Sequence, residues 1–202
     1  VKDALNNLTT YTYDSRNLLI SVKNAENQTV SYAYDALGRK ISVTDAKGNT
    51  TYMSYDGVGN VLTVTDAKGN IISSTEYNEL NLPETVTAAG GNITEYQYNK
   101  NGKTDTVTDS LNNRQLYWYD NSGNNIKVMD ASDNISTATY DVLGNVTSLT
   151  GPLGGTTQYT YDKLGRLISE TTASGGTVSY GYNALNLKSQ LTNAKGQLRT
   201  YT

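Results

Sequence analysis

The sequence of 202 residues contains no cysteine and no histidine. The absence of cysteine excludes disulfides, thiolate nucleophiles and zinc sites built from cysteine. The absence of histidine removes the Ser-His-Asp triad, the usual general base near neutral pH and the commonest metal ligand. We therefore expect a protein that is not an enzyme, with no catalytic residue, no cofactor and no metal site.

Long apolar runs and clustered positive charge are also missing. No stretch approaches the roughly eighteen consecutive apolar residues of a membrane-spanning helix. Lys and Arg total 16 and Asp and Glu total 19, which gives a formal net charge of −3. Proteins that bind nucleic acid need clustered basic residues for the phosphates. We therefore expect neither a membrane span nor a nucleic-acid partner.

Tyrosine takes the place of the other aromatic residues, because the chain has 17 Tyr, no Phe and one Trp. Nine of the tyrosines are followed directly by Asp or Asn, and they recur every 21 residues with one step of 22. The extra residue falls between Ile71 and Thr75, where the pattern loses its register. A fixed period of this length indicates tandem repeats. We expect residues 1–202 to form one array of about nine repeats that starts and stops within a repeat. The motif tyrosines are Tyr13, Tyr34, Tyr55, Tyr77, Tyr98, Tyr119, Tyr140, Tyr161 and Tyr182.

A tight turn is predicted after each motif tyrosine. The fourth residue after the tyrosine is always Gly or Asn, the two types that enter the left-handed backbone region at least cost. The Asp or Asn that directly follows the tyrosine can accept hydrogen bonds from the backbone ahead of it. We expect a structural role for these positions. They include Asp14, Asp35, Asp56, Asp120, Asp141 and Asp162, and Gly38, Gly59, Gly102, Gly123, Gly144 and Gly165.

Two short strands complete each repeat. The segment Ile41–Thr44 alternates apolar residues with Ser or Thr, which is the period of a half-buried strand. A second turn, Asp45–Asn49, leads into a Thr-rich strand that ends at the next motif tyrosine. The predicted fold is all-β, with essentially no helix. It consists of tandem 21-residue antiparallel hairpins that form a curved, spiralling sheet strip.

The apolar positions of these strands predict one apolar face. We expect the motif tyrosines to pack near this face as rungs of an aromatic ladder. Whether the two rows share a face depends on the strand register. The apolar residues are Ile41, Val43, Leu62, Val64, Ile126 and Val128.

Two motifs allow a chemical interpretation beside the structural one. The Tyr-Asp pairs could be catalytic phenol and carboxylate groups, but a catalytic site is normally single and repetition is what packing needs. The segment Asp120–Asn124 has oxygen ligands at alternating positions, as calcium loops do. The twelfth position of such a loop needs a bidentate Glu, and here it is Ala131. Structural turns are therefore the favoured interpretation.

Trp118 is the candidate binding residue. It lies in Tyr117–Tyr119, where strand geometry points it away from the two tyrosines. On a solvent face it could stack on a sugar ring or contact a partner. The alternative is a half-buried packing residue or a residue that lines the inside of a shell.

The repeat resembles the Rhs or YD repeat. The segments Tyr34–Arg39 and Tyr161–Arg166 read Tyr-Asp-x-Leu-Gly-Arg, and Val43–Thr51 resembles the remainder of that unit. The resemblance covers the whole chain. It departs from the pattern where Asn replaces Gly, where Asn replaces Asp, and where a charged residue replaces an apolar one. We expect such units to be looser or to lie at a local bend. These positions are Asn17, Asn81 and Asn186; Asn78, Asn99 and Asn183; and Glu170.

The resemblance implies a function as well as a fold. Family members include bacterial polymorphic toxins, shell components of insecticidal toxin complexes and the teneurins. It implies a hollow β-sheet shell that encloses a C-terminal toxin or cargo domain, made by a secreted or cell-surface protein. The partners would be the rest of the repeat array and that cargo. The alternative is an exposed strip that binds glycans or a cell surface. We also expect the isolated array to self-associate, because it has open strand edges and an uncovered apolar face.

Overall fold

The computed structural model describes residues 1–4 and 7–201 of the chain. The described residues form nineteen β-strands joined by turns, with no helix. The all-β fold predicted from the repeat is confirmed. The strands are β1 (Thr10–Tyr13), β2 (Leu19–Lys23), β3 (Thr29–Tyr34), β4 (Lys40–Thr44), β5 (Thr50–Tyr55), β6 (Val61–Thr65), β7 (Ile71–Tyr77), β8 (Pro83–Ala88), β9 (Ile93–Tyr98), β10 (Thr104–Thr108), β11 (Arg114–Tyr119), β12 (Asn125–Met129), β13 (Ile135–Tyr140), β14 (Val146–Thr150), β15 (Thr156–Tyr161), β16 (Leu167–Thr171), β17 (Thr177–Tyr182), β18 (Lys188–Thr192) and β19 (Leu198–Thr200).

The chain divides into two compact units. The first comprises residues 1–97 with 109–111, and the second comprises 98–108 with 112–202. In the first unit each strand from β1 to β8 pairs antiparallel with the next strand of the chain. In the second unit β10 to β19 pair in the same way. Each unit is therefore a meander, and its alternate turns lie on opposite edges of the sheet.

All of the turns share one backbone design. In the turn after β3, Asp35 N–H donates to the Arg39 carbonyl and Gly38 N–H donates to the Asp35 carbonyl. The turn after β4 repeats both bonds between Asp45, Gly48 and Asn49. Each loop thus has three residues, and the third has a positive φ, such as +80° at Gly38. This is the common three-residue hairpin, in which Gly or Asn occupies the left-handed position.

A β-bulge lies beside every motif tyrosine whose pairing is resolved. Tyr34 pairs with Lys40 while Ala33 pairs with Ser42, so that Ile41 is the extra residue. The same shift leaves Leu62 and Ile126 without a cross-strand partner. The predicted alternation is therefore wrong for these three apolar residues, because a bulge interrupts the two-residue period.

The register decides which residues share a face. Val43 pairs with Tyr32, Val64 with Met53 and Val128 with Tyr117. Tyr32 and the motif tyrosine Tyr34 are two residues apart, so they project from the same side of the strand. The valines and the tyrosines therefore share one face, called here the Tyr-Val face. The opposite face carries mainly Ser and Thr and is called the Ser-Thr face.

The 22-residue step is accommodated by a bulge in β7. Ser73 pairs with Val64 while Ile71 pairs with Thr65, which leaves Ile72 as the inserted residue. The predicted position of the insertion, between Ile71 and Thr75, is confirmed. The remainder of β7 regains the register before Tyr77.

Neither unit has a hydrophobic core. Among the described residues no apolar side chain is fully buried, and Thr106 is the one buried residue, at 5% exposure. Strand contacts in the described part of the chain are confined to neighbours in sequence. Each unit is thus a single layer of sheet, and hydrogen bonds and half-buried side chains hold it together.

Candidate functional site

Six of the nine motif tyrosines bond to the preceding hairpin through their hydroxyl groups. The Tyr34 hydroxyl donates to the Leu19 carbonyl at 2.8 Å, and the Tyr55 hydroxyl donates to the Lys40 carbonyl at 2.6 Å. Tyr77, Tyr119, Tyr140 and Tyr182 make the equivalent bond, with distances of 2.7–3.1 Å. The acceptor is in each case the first residue of the preceding even-numbered strand.

These hydroxyl bonds begin where the backbone ladder ends. The pairing of β2 with β3 stops at Ser21 and Ser31. Leu19 lies two residues beyond that last pair, so the ladder leaves its carbonyl without a backbone donor from β3. The Tyr34 hydroxyl supplies the missing hydrogen bond, and such a half-buried carbonyl would otherwise be costly. Each of these six tyrosines thus joins the bulged end of its own hairpin to the hairpin before it.

The residue after each motif tyrosine organises the turn. Asp120 Oδ1 accepts hydrogen bonds at 2.9 Å from the backbone N–H groups of Ser122 and Asn124. Its Oδ2 accepts a bond of 3.0 Å from the Asn124 side chain. The same two backbone bonds occur in all nine motif turns, whether the residue is Asp or Asn. Both oxygens of Asp120 are therefore occupied within the turn that the calcium interpretation would have used.

The carboxylates of these turns are stabilised in their charged form. The side chain and the backbone of Asn124 donate to Asp120 and lower the pKa of its carboxyl group. For Asp35, partial burial raises the pKa, but the bonds from Arg39 outweigh it and the pKa falls below its ordinary value. The turn aspartates are thus structural anions rather than proton donors near neutral pH.

The departures from the motif do not loosen the turns. Asn78 Oδ1 accepts from the N–H groups of Leu80 and Leu82, as Asp does elsewhere. Asn17, Asn81 and Asn186 have φ values of 59–64°, in the same left-handed region as the glycines. The expectation that these units are looser is wrong for the Asn turns, because Asn can supply both the acceptor oxygen and the left-handed backbone. Glu170 keeps regular pairing with Tyr159 and Val178.

A further position joins one turn to the next, and sequence reasoning missed it. Arg39 directly follows the turn glycine, and its Nε bonds Asp35 Oδ2 at 2.6 Å. Its Nη1 donates to the Asp56 carbonyl at 2.8 Å, and its guanidinium lies 4.8 Å from the centre of the Tyr55 ring. Arg166 makes the corresponding contacts with Asp162, Asn186 and Tyr182. The Arg in Tyr-Asp-x-Leu-Gly-Arg was the available signal.

Trp118 lies on the Ser-Thr face, opposite in direction to Tyr117 and Tyr119. It pairs with Lys127, whose ammonium group lies 4.3 Å from the centre of the indole ring. The side chain is 36% exposed. The neighbouring pair on the same face is Leu116 with Met129.

A shallow hollow accompanies Trp118. Its volume is about 310 Å³, and its lining includes Asp105, Thr106, Leu116 and Trp118. The cation of Lys127 covers part of one indole face. Because Thr106 is buried, the groups of this hollow suited to weak contact with a polar ligand are the indole edge of Trp118 and the Asp105 carboxylate.

No group of three or more Asp or Glu side chains in 1–4 and 7–201 is arranged to hold a metal ion. In the same residues no helix is long and apolar enough to cross a membrane.

Comparisons with known structures show a shared fold. A chain from the crystal structure of TcdB2-TccC3 superposes with a TM-score of 0.66 at 17% identity, covering 90% of this chain and 14% of that chain. The TcdB2-TccC3-Cdc42 structure gives 0.64 at 14% identity, covering 92% and 12%. A mutant Tc holotoxin pore of Photorhabdus luminescens gives 0.63 at 17% identity, covering 92% and 13%. This chain therefore spans about one eighth of the length of these proteins, and at such identities the likeness establishes the fold alone.

A family comparison adds the sequence relationship. No curated protein matches the chain. The model of the RHS repeat family matches residues 13–50, 41–71, 140–177 and 161–200, which together are more than half of the chain. The chain belongs to the RHS repeat family.

Proposed function

We propose that this chain is a wall segment of a β-sheet shell that encloses and carries a C-terminal toxin or cargo domain. The observation that carries the proposal is the single-layer sheet without buried apolar side chains. Such a layer has two accessible faces and no interior of its own, so it can separate two compartments but cannot hold a substrate inside itself.

The bonds at the tyrosine turns support a mechanical role. The hydroxyl of Tyr55 and the guanidinium of Arg39 each join two successive hairpins. The tyrosine bond recurs in six repeats and the arginine contact in two, and such links between successive hairpins are what a continuous wall requires. The 21-residue period runs through residues 1–202, so we treat the chain as one array of about nine repeats.

The comparisons give this proposal its context. The similar chains come from structures described as TcdB2-TccC3 complexes and as a Tc holotoxin pore. Proteins of toxin complexes act outside the cell that makes them, and we propose that this chain is likewise secreted or displayed at a cell surface. Its partners would be the rest of a repeat array and the enclosed domain.

Limited proteolysis tests the proposal. The full-length protein that contains this segment is treated with protease, and cleavage of its downstream domain is followed by mass spectrometry. A wall-breaking variant combines Gly38→Val with Gly59→Val, because both positions have positive φ. Gly57→Val is the control, since Gly57 lies in the same turn with no positive φ and no atom near its added Cβ.

The expected result is a downstream domain that resists protease in the wild type and in the control. It should be cut rapidly in the double variant. Immediate digestion in the wild type, with the repeats intact, would show that the array encloses nothing.

The second candidate function is carbohydrate or cell-surface recognition by an exposed strip. The half-exposed indole of Trp118 beside Asp105 favours it. A glycan array would test it with Trp118→Ala. Tyr52→Ala is the matched control, because Tyr52 is also an exposed aromatic on the Ser-Thr face. Equal binding by both variants and the wild type would reject a role for Trp118.

A further inference from the structure

The two edges of each unit have the same turns but different chemistry at the loop tips. The middle residue of the three-residue loop points away from the sheet on both edges. On the edge with the motif tyrosines it is apolar in six of nine turns, and these six side chains are 68–77% exposed. We call them the apolar row. In the first unit the apolar row is Leu37, Val58 and Leu80; in the second unit it is Leu143, Leu164 and Leu185.

The opposite edge shows that the turn itself does not require these residues. The backbone bonds and the positive φ are the same there. Yet the middle positions of that edge are mostly charged or small and polar, as loop tips usually are. They are Glu26, Lys47, Lys68, Gly90, Leu111, Ser132, Leu153, Ser174 and Lys195. Something outside the hairpin must therefore account for the leucines on the tyrosine edge.

The spacing of the apolar row restricts what can cover it. Successive members are one repeat apart, which is two strand widths or about 10 Å along the sheet. A partner can engage three successive members only if it has apolar groups at the same spacing. The same edge of another copy of this chain has that spacing, because its own leucines follow the same period.

The charges beside the apolar row permit such a contact. The Asp35 and Asp162 carboxylates are paired with Arg39 and Arg166 within their own turns. Asp56 accepts bonds from Asn60. These anions are thus already satisfied, so they present little repulsion to an identical edge.

We propose that the apolar row is a docking edge for a second copy of this chain, which binds through its own apolar row. The contact is self-complementary, as two-fold contacts between identical surfaces are. It is also small, because the three leucine-sized groups of one unit lie well below the roughly 800 Å² per partner of a stable interface. Association between separate chains is therefore expected only at high concentration. The proposal concerns the edge alone and does not depend on whether the sheet encloses a cargo.

Sedimentation equilibrium of the purified chain, from micromolar to about millimolar concentration, tests the proposal. The row variant is Leu37→Ser with Leu164→Ser, which changes one leucine in each unit. The matched control is Leu111→Ser with Leu153→Ser, which removes leucines that are even more exposed from the same loop position on the opposite edge. Serine suits the site, because Ser122 already occupies it. Far-UV circular dichroism confirms that each variant keeps its strands.

The wild type and the control should associate alike. The row variant should associate about a hundredfold more weakly, because each interface loses one leucine from each copy, at roughly tenfold for each. Three outcomes would overturn the proposal: a wild type that stays monomeric, a row variant that associates like the wild type, or a control that weakens as much as the row variant. None of these outcomes bears on the protection of a downstream domain, so this test and the proteolysis test fail independently.

Discussion

The turn Asp56–Asn60 contains two glycines with different backbone requirements, and this difference predicts opposite effects of one substitution. Gly59 has a φ of +104°, whereas Gly57 lies outside the left-handed region. A Cβ added at either position meets no atom within 4 Å. Steric clash with other residues is thus absent at both sites, and the difference between Gly59→Ala and Gly57→Ala isolates the backbone.

The expected magnitudes follow from that difference. An L-residue in the left-handed region costs roughly 1–2 kcal/mol. Ala in place of Gly at a compatible position stabilises by about 0.4–1 kcal/mol, because the unfolded chain loses freedom. This gain is common to both variants and cancels in their difference, so the two should differ by about 1–2 kcal/mol in free energy of unfolding. For a chain of this size this corresponds to a difference in Tm of about 2–8 °C.

Urea unfolding followed by far-UV circular dichroism measures this difference. The midpoint should fall for Gly59→Ala and rise for Gly57→Ala, with an unchanged slope. Gly59→Asn should lie nearer to the wild type than Gly59→Ala, since Asn81 holds the equivalent position with a φ of 59°. Equal midpoints for the two alanine variants would refute the role assigned to the positive φ.

Three further predictions concern the tyrosine, arginine and aspartate bonds at the tyrosine turns. Tyr55→Phe removes the hydroxyl bond to the Lys40 carbonyl and should lower the free energy of unfolding by about 1 kcal/mol. Tyr52→Phe, at an exposed position, should leave the Tm unchanged. Equal losses of stability in the two variants would contradict the role assigned to the hydroxyl bond. Arg39→Lys keeps the charge, but the lysine cannot bond Asp35 and the next turn at the same time, so the Tm should fall relative to wild type. An unchanged Tm would contradict the role of Arg39 in joining the two turns. In the folded state the carboxyl groups of the turn aspartates have pKa values below the ordinary 3.8. Their contribution to the stability of the fold is therefore complete above the ordinary pKa and is lost as the pH falls through the folded-state pKa. Urea titrations should give a constant free energy of unfolding from pH 5 to 8, where no histidine titrates, and a lower one below about pH 4. A decline that starts above pH 5 would refute this prediction.

Most of the fold could be predicted from the repeat period, whereas the β-bulges could not. The positive φ at the fourth residue after each tyrosine, the strand-turn alternation and the insertion near Ile72 could all be predicted from residue types and spacing. The extra residue of each bulge could not, because Ile41 reads in the sequence as an ordinary apolar strand residue. Only the register shows that Tyr34 pairs with Lys40 and skips it.

The side-chain contacts were less predictable than the backbone. The direction of Trp118 relative to Tyr117 followed from the two-residue period of a strand. The carbonyl acceptor of each tyrosine did not, because it depends on where the ladder of the preceding hairpin stops. Lys127 over the indole likewise depends on the register of β11 with β12.

The restriction of contacts to neighbouring strands has a consequence for how such a chain changes over evolutionary time. When a 21-residue repeat is duplicated, the new hairpin meets only surfaces that already exist elsewhere in the array, because no strand among the described residues packs against a distant one. When a repeat is deleted, the two flanking hairpins meet through the same tyrosine and turn contacts as before. The number of repeats can therefore vary without any redesign of packing. An enclosing wall could adapt in this way to a larger or smaller content by recombination between its own repeats.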